Sequence, residues 1–134
     1  MINEILEILI VEDNIIIQQV IEICLISLGY SVCGIVATGE AAVDFVREKK
    51  PDAVLMDITL DGHTDGIDAA IAIKKLYPIP IVFLTSSAKA EDLERAKKIP
   101  ADGFIGKPFR DMDIHSALKS AIPNPGDSIG YKIL

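Results

Sequence analysis

Five short aliphatic runs with little polar alternation recur along the chain: Ile5 to Val11, Ser31 to Ala37, Ala53 to Met56, Ile79 to Leu84 and Gly103 to Ile105. A strand with one face in water alternates polar and apolar residues. Continuous Ile, Val and Leu require cover on both faces, the setting of a parallel sheet between helical layers. Helix-sized segments separate the runs. Ile17, Val20, Ile21, Cys24 and Leu28 keep the spacing of one inward stripe, and Gly29 supplies the stop. Gly39 to Lys50 turns Ala42, Val43 and Val46 inward and ends at Pro51, while Ile67 to Tyr77 ends at Pro78. Lys89 to Lys98 carries acids early and Lys97 and Lys98 late, the order a helix dipole favours, and Asp111 to Ile122 turns Ile114, Ala117 and Leu118 inward. Five strand-helix alternations joined by right-handed crossovers predict a doubly wound α/β sandwich with five parallel strands and five helices.

The 134 residues suit one domain, expected over 5–122. Residues 123–134 form a tail: Pro123, Pro125 and Gly126 break regular structure before Ile129, Tyr131, Ile133 and Leu134 restore apolar character. It reads either as a linker or as a segment folded back onto the domain. No apolar run is long enough to cross a bilayer, and Met1 to Asp13 lacks the basic region and cleavage site of a secretory signal, so a cytoplasmic protein without membrane contact is expected. A formal net charge of -7 disfavours direct contact with nucleic acid or an anionic membrane. Cys24 and Cys33 read as core filler in a reducing compartment.

In an open parallel sheet, ligands gather at the carboxyl ends of the strands. Here those ends carry Glu12 and Asp13, then Asp57, Thr85, and Lys107 followed by Pro108. Three carboxylates brought together repel one another unless a cation or a proton offsets them, and all-oxygen ligands favour Mg²⁺. A carboxylate beside Mg²⁺ points to phosphoryl transfer. Asp57 would be the nucleophile, Lys107 and the metal would neutralise the transferred oxygens, and the Thr85 hydroxyl would respond to the new dianion.

Glu12-Asp13 after an apolar strand, "LMD" ending at Asp57, "FLTSSA" around Thr85 and "FIGKPF" around Lys107 together resemble the receiver domains of response regulators, over roughly residues 5–122. The resemblance implies a flavodoxin-like sheet of strand order 2-1-3-4-5. It implies that Asp57 accepts a phosphoryl group from a histidine kinase or a histidine phosphotransfer protein. Glu12 and Asp13 become the acidic metal residues, with Asp13, Asp57 and the backbone carbonyl of Thr59 contacting Mg²⁺. Thr85 and Phe104 become the switch pair, Lys107 the partner of the phosphoryl group, and the Lys107 to Pro108 bond is expected to be cis. Thr59 and Ser87 occupy the positions that influence how fast phosphate is lost. The segment after Asp57, "ITLDGHTDGIDAA", departs from the common pattern: it lacks the usual proline and places Asp65-Gly66 one residue late.

Such a module is a switch whose only chemistry is its own phosphorylation and hydrolysis. Its output passes to a downstream protein target, and a phosphorylation-dependent dimer is a further expectation. Two alternatives stand beside it: a degenerate receiver that only binds partners, and a haloacid-dehalogenase-like phosphatase, which wants a second acid where Thr59 stands. Ile15, Ile16 and Ile23, with Ile26 to the side, place apolar surface away from the inward stripe of the first helix, where receivers meet the phosphodonor. His63 and His115 lack neighbouring ligands and read as ordinary loop and helix residues. Asp61, Asp65 and Asp68 read as turn aspartates, and Lys74, Lys75, Lys97 and Lys98 as solvated helix ends.

Overall fold

A computed structural model of the protein describes residues 5–60, 65–85, 90–98 and 102–123. Its elements run β1 (Glu7–Val11), α1 (Ile15–Ser27), β2 (Ser31–Val36), α2 (Gly39–Glu48), β3 (Ala53–Asp57), α3 (Gly66–Leu76), β4 (Ile81–Thr85), α4 (Ala90–Lys97), β5 (Gly103–Gly106) and α5 (Asp111–Ala121). All neighbouring strands pair in parallel, in the order β2-β1-β3-β4-β5. The α/β, flavodoxin-like topology expected from the sequence is therefore the one observed.

Residue parity along each strand explains the continuous apolar runs. Leu9, Val11, Val54, Met56, Ile81 and Phe83 face a core built with Ala42, Val46, Ile67, Ala70, Ile73 and Ala96, which come from α2, α3 and α4. Ile8, Ile10, Ala53, Leu55, Val82, Leu84 and Ile105 face the opposite core, with Ile21, Cys24 and Leu25 of α1 and Ile114 and Leu118 of α5. Both faces of the central strands β1, β3 and β4 are dry, so neither parity carries a polar residue there until the strand ends. Removal of this apolar surface from water is the main force holding the layers together.

Three local expectations are corrected by packing. Val20 is half exposed, and Leu25 takes the inward place expected of it; the buried stripe is Ile21, Cys24 and Leu25, flanked by Ile17 and Leu28. Ile5 is exposed and β1 begins at Glu7. Ile79 is buried but β4 begins only at Ile81, because Pro80 lacks an N–H for the ladder; its carbonyl still accepts from the Val54 N–H at 2.9 Å. Gly29 does terminate α1, with φ of 97°, a left-handed geometry that suits glycine. Lys89, His63, Asp61, Ser87 and the tail over 124–134 lie outside the described residues. Among the described residues no helix is long and apolar enough to cross a membrane, and both cysteines are free.

Candidate phosphoacceptor site

The chain leaves β1 toward β2 on one side of the sheet and then crosses to β3 on the other, so a crevice opens above the carboxyl ends of β1 and β3. Val11 pairs with Met56. The next residue on each strand therefore brings Glu12 beside Asp57, although 45 positions separate them. Glu12 is further held by its N–H, which donates to the Val36 carbonyl at 3.0 Å. Glu12, Asp13 and Asp57 each offer a carboxylate oxygen, and these oxygens all lie within 4.8 Å of one another.

Lys107 follows β5 and closes the crevice from the far side. Its N–H donates to the Thr85 carbonyl at 2.8 Å, which sets its backbone beside β4. Its ammonium donates to Glu12 Oε1 at 2.8 Å and to Asp57 Oδ2 at 3.1 Å. The bond to Pro108 is cis. The second Glu12 oxygen accepts from the Asn14 N–H at 3.1 Å, and Asp57 Oδ1 accepts from the Thr59 N–H at 3.1 Å.

Glu12 is 1% exposed and Asp57 5% exposed. Burial pushes the Glu12 carboxyl up to about 7; the Asp57 charge adds to the rise, while the Lys107 and Asn14 hydrogen bonds oppose it. For Lys107, burial opposes the charge, yet hydrogen bonds and attraction from Glu12 and Asp57 outweigh it and raise the ammonium pKa. The two partners thus sense their pair differently. Lys107 gains two acids, whereas Glu12 gains one cation and one repelling neighbour, so desolvation decides its protonation.

Three hard oxygen donors, one of them on the less buried Asp13, face a single lysine. That donor set carries excess negative charge and suits a divalent cation of the Mg²⁺ class. Thr85 closes β4 at the same edge of the sheet. Phe104 on β5 is nearly half exposed, its ring 5.7 Å from that of buried Phe83. Ile15, Ile16 and Ile23 are exposed on α1, whose start lies directly after the acidic pair.

The response regulator receiver domain family matches residues 8–119. The chain belongs to this family. The receiver is 35% identical over 115 residues to the transcriptional regulatory protein PdtaR of Mycobacterium tuberculosis, a match covering 86% of this chain but 56% of that protein. The chain thus spans little more than half the length of that relative. Among solved structures it is similar to the signal receiver domain of a modulated diguanylate cyclase from Desulfovibrio desulfuricans G20. The TM-score is 0.85 and the identity 36%, covering 89% of this chain and 94% of that one. It is also similar to the receiver domain of the sensor histidine kinase PA1611 from Pseudomonas aeruginosa PAO1, with TM-score 0.80, 36% identity and coverage of 88% and 98%. That structure holds a magnesium ion in its active-site cleft.

Sequence reasoning missed two residues that shape the site and one ion-pair cluster outside it. Asn14 caps α1 by accepting from the Ile17 N–H at 3.0 Å, and its own N–H orients Glu12; an asparagine directly before an apolar helix was the available signal. Gln18 donates to the Glu12 carbonyl at 2.6 Å, which no sequence pattern announces. Arg95 binds Asp65 and Asp68 across two helices, a pairing invisible before the helices are placed.

Proposed function

We propose that the receiver takes a phosphoryl group onto Asp57 from the phosphohistidine of a histidine kinase or histidine phosphotransfer protein, and that the modified site alters its affinity for a downstream protein. The observation that carries this reading is the Lys107 ammonium 3.1 Å from Asp57 Oδ2 in a crevice shared with Glu12 and Asp13. An Asp57 carboxylate oxygen attacks phosphorus, the P–N bond breaks, and the departing imidazole nitrogen keeps the bonding pair and takes a proton from solvent. Lys107 sits where it would neutralise charge on the transferred oxygens. Asp13, Asp57 and the Thr59 carbonyl would hold Mg²⁺, with Glu12 beside them; the metal, when bound, supplies positive charge to the phosphoryl group. The Thr59 N–H holds Asp57 Oδ1, which leaves Oδ2 as the oxygen facing the lysine.

Thr85, at the end of β4, would bring its hydroxyl toward a phosphorylated Asp57, and exposed Phe104 on the adjoining strand would change rotamer with it. Ile15, Ile16 and Ile23 would meet the donor. The same surface change would act on the target, or on a second copy in a phosphorylation-dependent dimer. Beyond its own phosphorylation and hydrolysis, this module catalyses nothing. The test is intact-protein mass after acetyl phosphate and Mg²⁺. One phosphoryl mass is gained by wild type and absent from Asp57→Asn and from an EDTA control. No gain in wild type would refute the reading and favour a binding-only receiver.

A further inference from the structure

The end of β3 is fastened to the start of α3 more tightly than a loop connection requires. The Gly66 N–H donates to the Ile58 carbonyl at 2.9 Å, and a methyl group at position 66 would overlap the Asp57 carbonyl oxygen. Glycine is therefore required by close approach, and any shift of Gly66 is felt at the backbone of the phosphoacceptor. Ile58 is buried and its N–H donates to the Leu84 carbonyl at 3.1 Å, so the segment is tied to the end of the sheet.

The residue before Gly66 is Asp65, which caps α3 by accepting from the Asp68 N–H at 2.9 Å. Arg95 of α4 grips this cap from outside. Its Nη1 donates to Asp65 Oδ2 at 2.7 Å, and its Nη2 donates to Asp65 Oδ1 at 3.3 Å and to Asp68 Oδ1 at 3.1 Å. A planar guanidinium engaging both oxygens of one carboxylate fixes direction as well as distance, which a lysine cannot do. Burial works against the charge of Asp65, but the Arg95 and Asp68 contacts hold its pKa below the usual aspartate value, so the clamp is charged at neutral pH.

We propose that Arg95 is a positioning residue for the acidic site, acting through Asp65 and Gly66 on the backbone of Asp57 and Ile58 without touching the site itself. The proposal rests on the receiver function argued above. Its consequence is that α4 and the metal affinity of the crevice are coupled: loosening the clamp frees the segment that presents Asp57 and Thr59.

The test is Mg²⁺ titration of the unphosphorylated protein, followed through the amide signals of Asp57 and Thr59, alongside the initial acetyl phosphate rate at subsaturating metal. Arg95→Gln should weaken Mg²⁺ by about two- to fivefold, the range that a partly exposed ion pair supports. Asp65→Asn keeps an N-capping oxygen and should weaken Mg²⁺ similarly. Arg95→Lys should recover part of the loss, and Lys97→Gln, exposed on the same helix, should change nothing. In an Asp65→Asn, Asp68→Asn background, Arg95→Gln should have a smaller effect than it has in the wild type. Unchanged metal affinity in Arg95→Gln, or an undiminished effect in that background, would overturn the inference alone. A wild-type protein that neither binds Mg²⁺ nor gains a phosphoryl group would overturn the proposed function, and the inference with it.

Discussion

Glu12→Gln tests whether burial or the Lys107 ion pair governs the acidic crevice. The Glu12 carboxyl rises from 4.5 in the unfolded chain to about 7 in the fold, chiefly through burial. A proton is therefore bound more tightly by the folded protein. Both states are protonated below pH 4.5 and no stability is lost there. As pH rises from 4.5 toward 7 the unfolded chain ionises first, and stability falls until the folded carboxyl ionises as well. The loss over this window is on the order of 3 kcal/mol in metal-free protein. Glutamine has no proton to lose, so the variant should show no such decline from this position. Its amide nitrogen would meet the Asn14 N–H in place of Glu12 Oε2, a donor-donor conflict that shifts stability by an amount independent of pH. Only the pH-dependent part is diagnostic. Urea unfolding from pH 4.5 to 8 without metal, wild type against variant, measures it. The wild-type disadvantage should grow across the window and shrink when Mg²⁺ is added, because the cation offsets the charge of ionised Glu12, which the neutral glutamine does not carry. A wild-type minus variant difference that stays flat with pH would refute the view that desolvation outweighs Lys107.

Asn14→Ala removes the cap from α1 and one hydrogen bond to Glu12 depends on the same turn; a loss of about 1 kcal/mol in urea unfolding is expected. Phe83→Ala opens a cavity under the sheet at a fully buried site, where about 3 to 5 kcal/mol should be lost, and a cost below 1 kcal/mol would contradict the packing described. Val20→Asp, by contrast, falls on the solvent side of α1 and should change stability by no more than about 0.5 kcal/mol. Ile16→Glu should slow phosphotransfer from the cognate donor while leaving acetyl phosphate labelling unchanged, and equal donor rates would remove α1 as the docking surface.

The sequence by itself determined the layer architecture, because a run such as Val54-Leu55-Met56 can be stable as a strand only with apolar cover on both faces. It also marked the edge that carries the candidate site, because polar residues end those runs at Glu12, Asp57, Thr85 and Lys107. Helix stops at Gly29, Pro51 and Pro78 were local for the same reason: backbone freedom or a missing N–H acts without knowledge of the rest of the fold. The tertiary structure alone decided what depends on two distant segments meeting. Periodicity put Val20 in the inward stripe and left Leu25 out of it, and only the packing of α1 on the sheet reversed the two. Lys107 reaches Glu12 across 95 positions, so neither its hydrogen bonds nor the raised carboxyl pKa could be read from spacing. Arg95 and Asp65, 30 positions apart, meet because α3 and α4 lie on one face of the sheet. Local patterns record what a segment needs from its surroundings; charge, burial and pairing are properties of the surroundings that it receives.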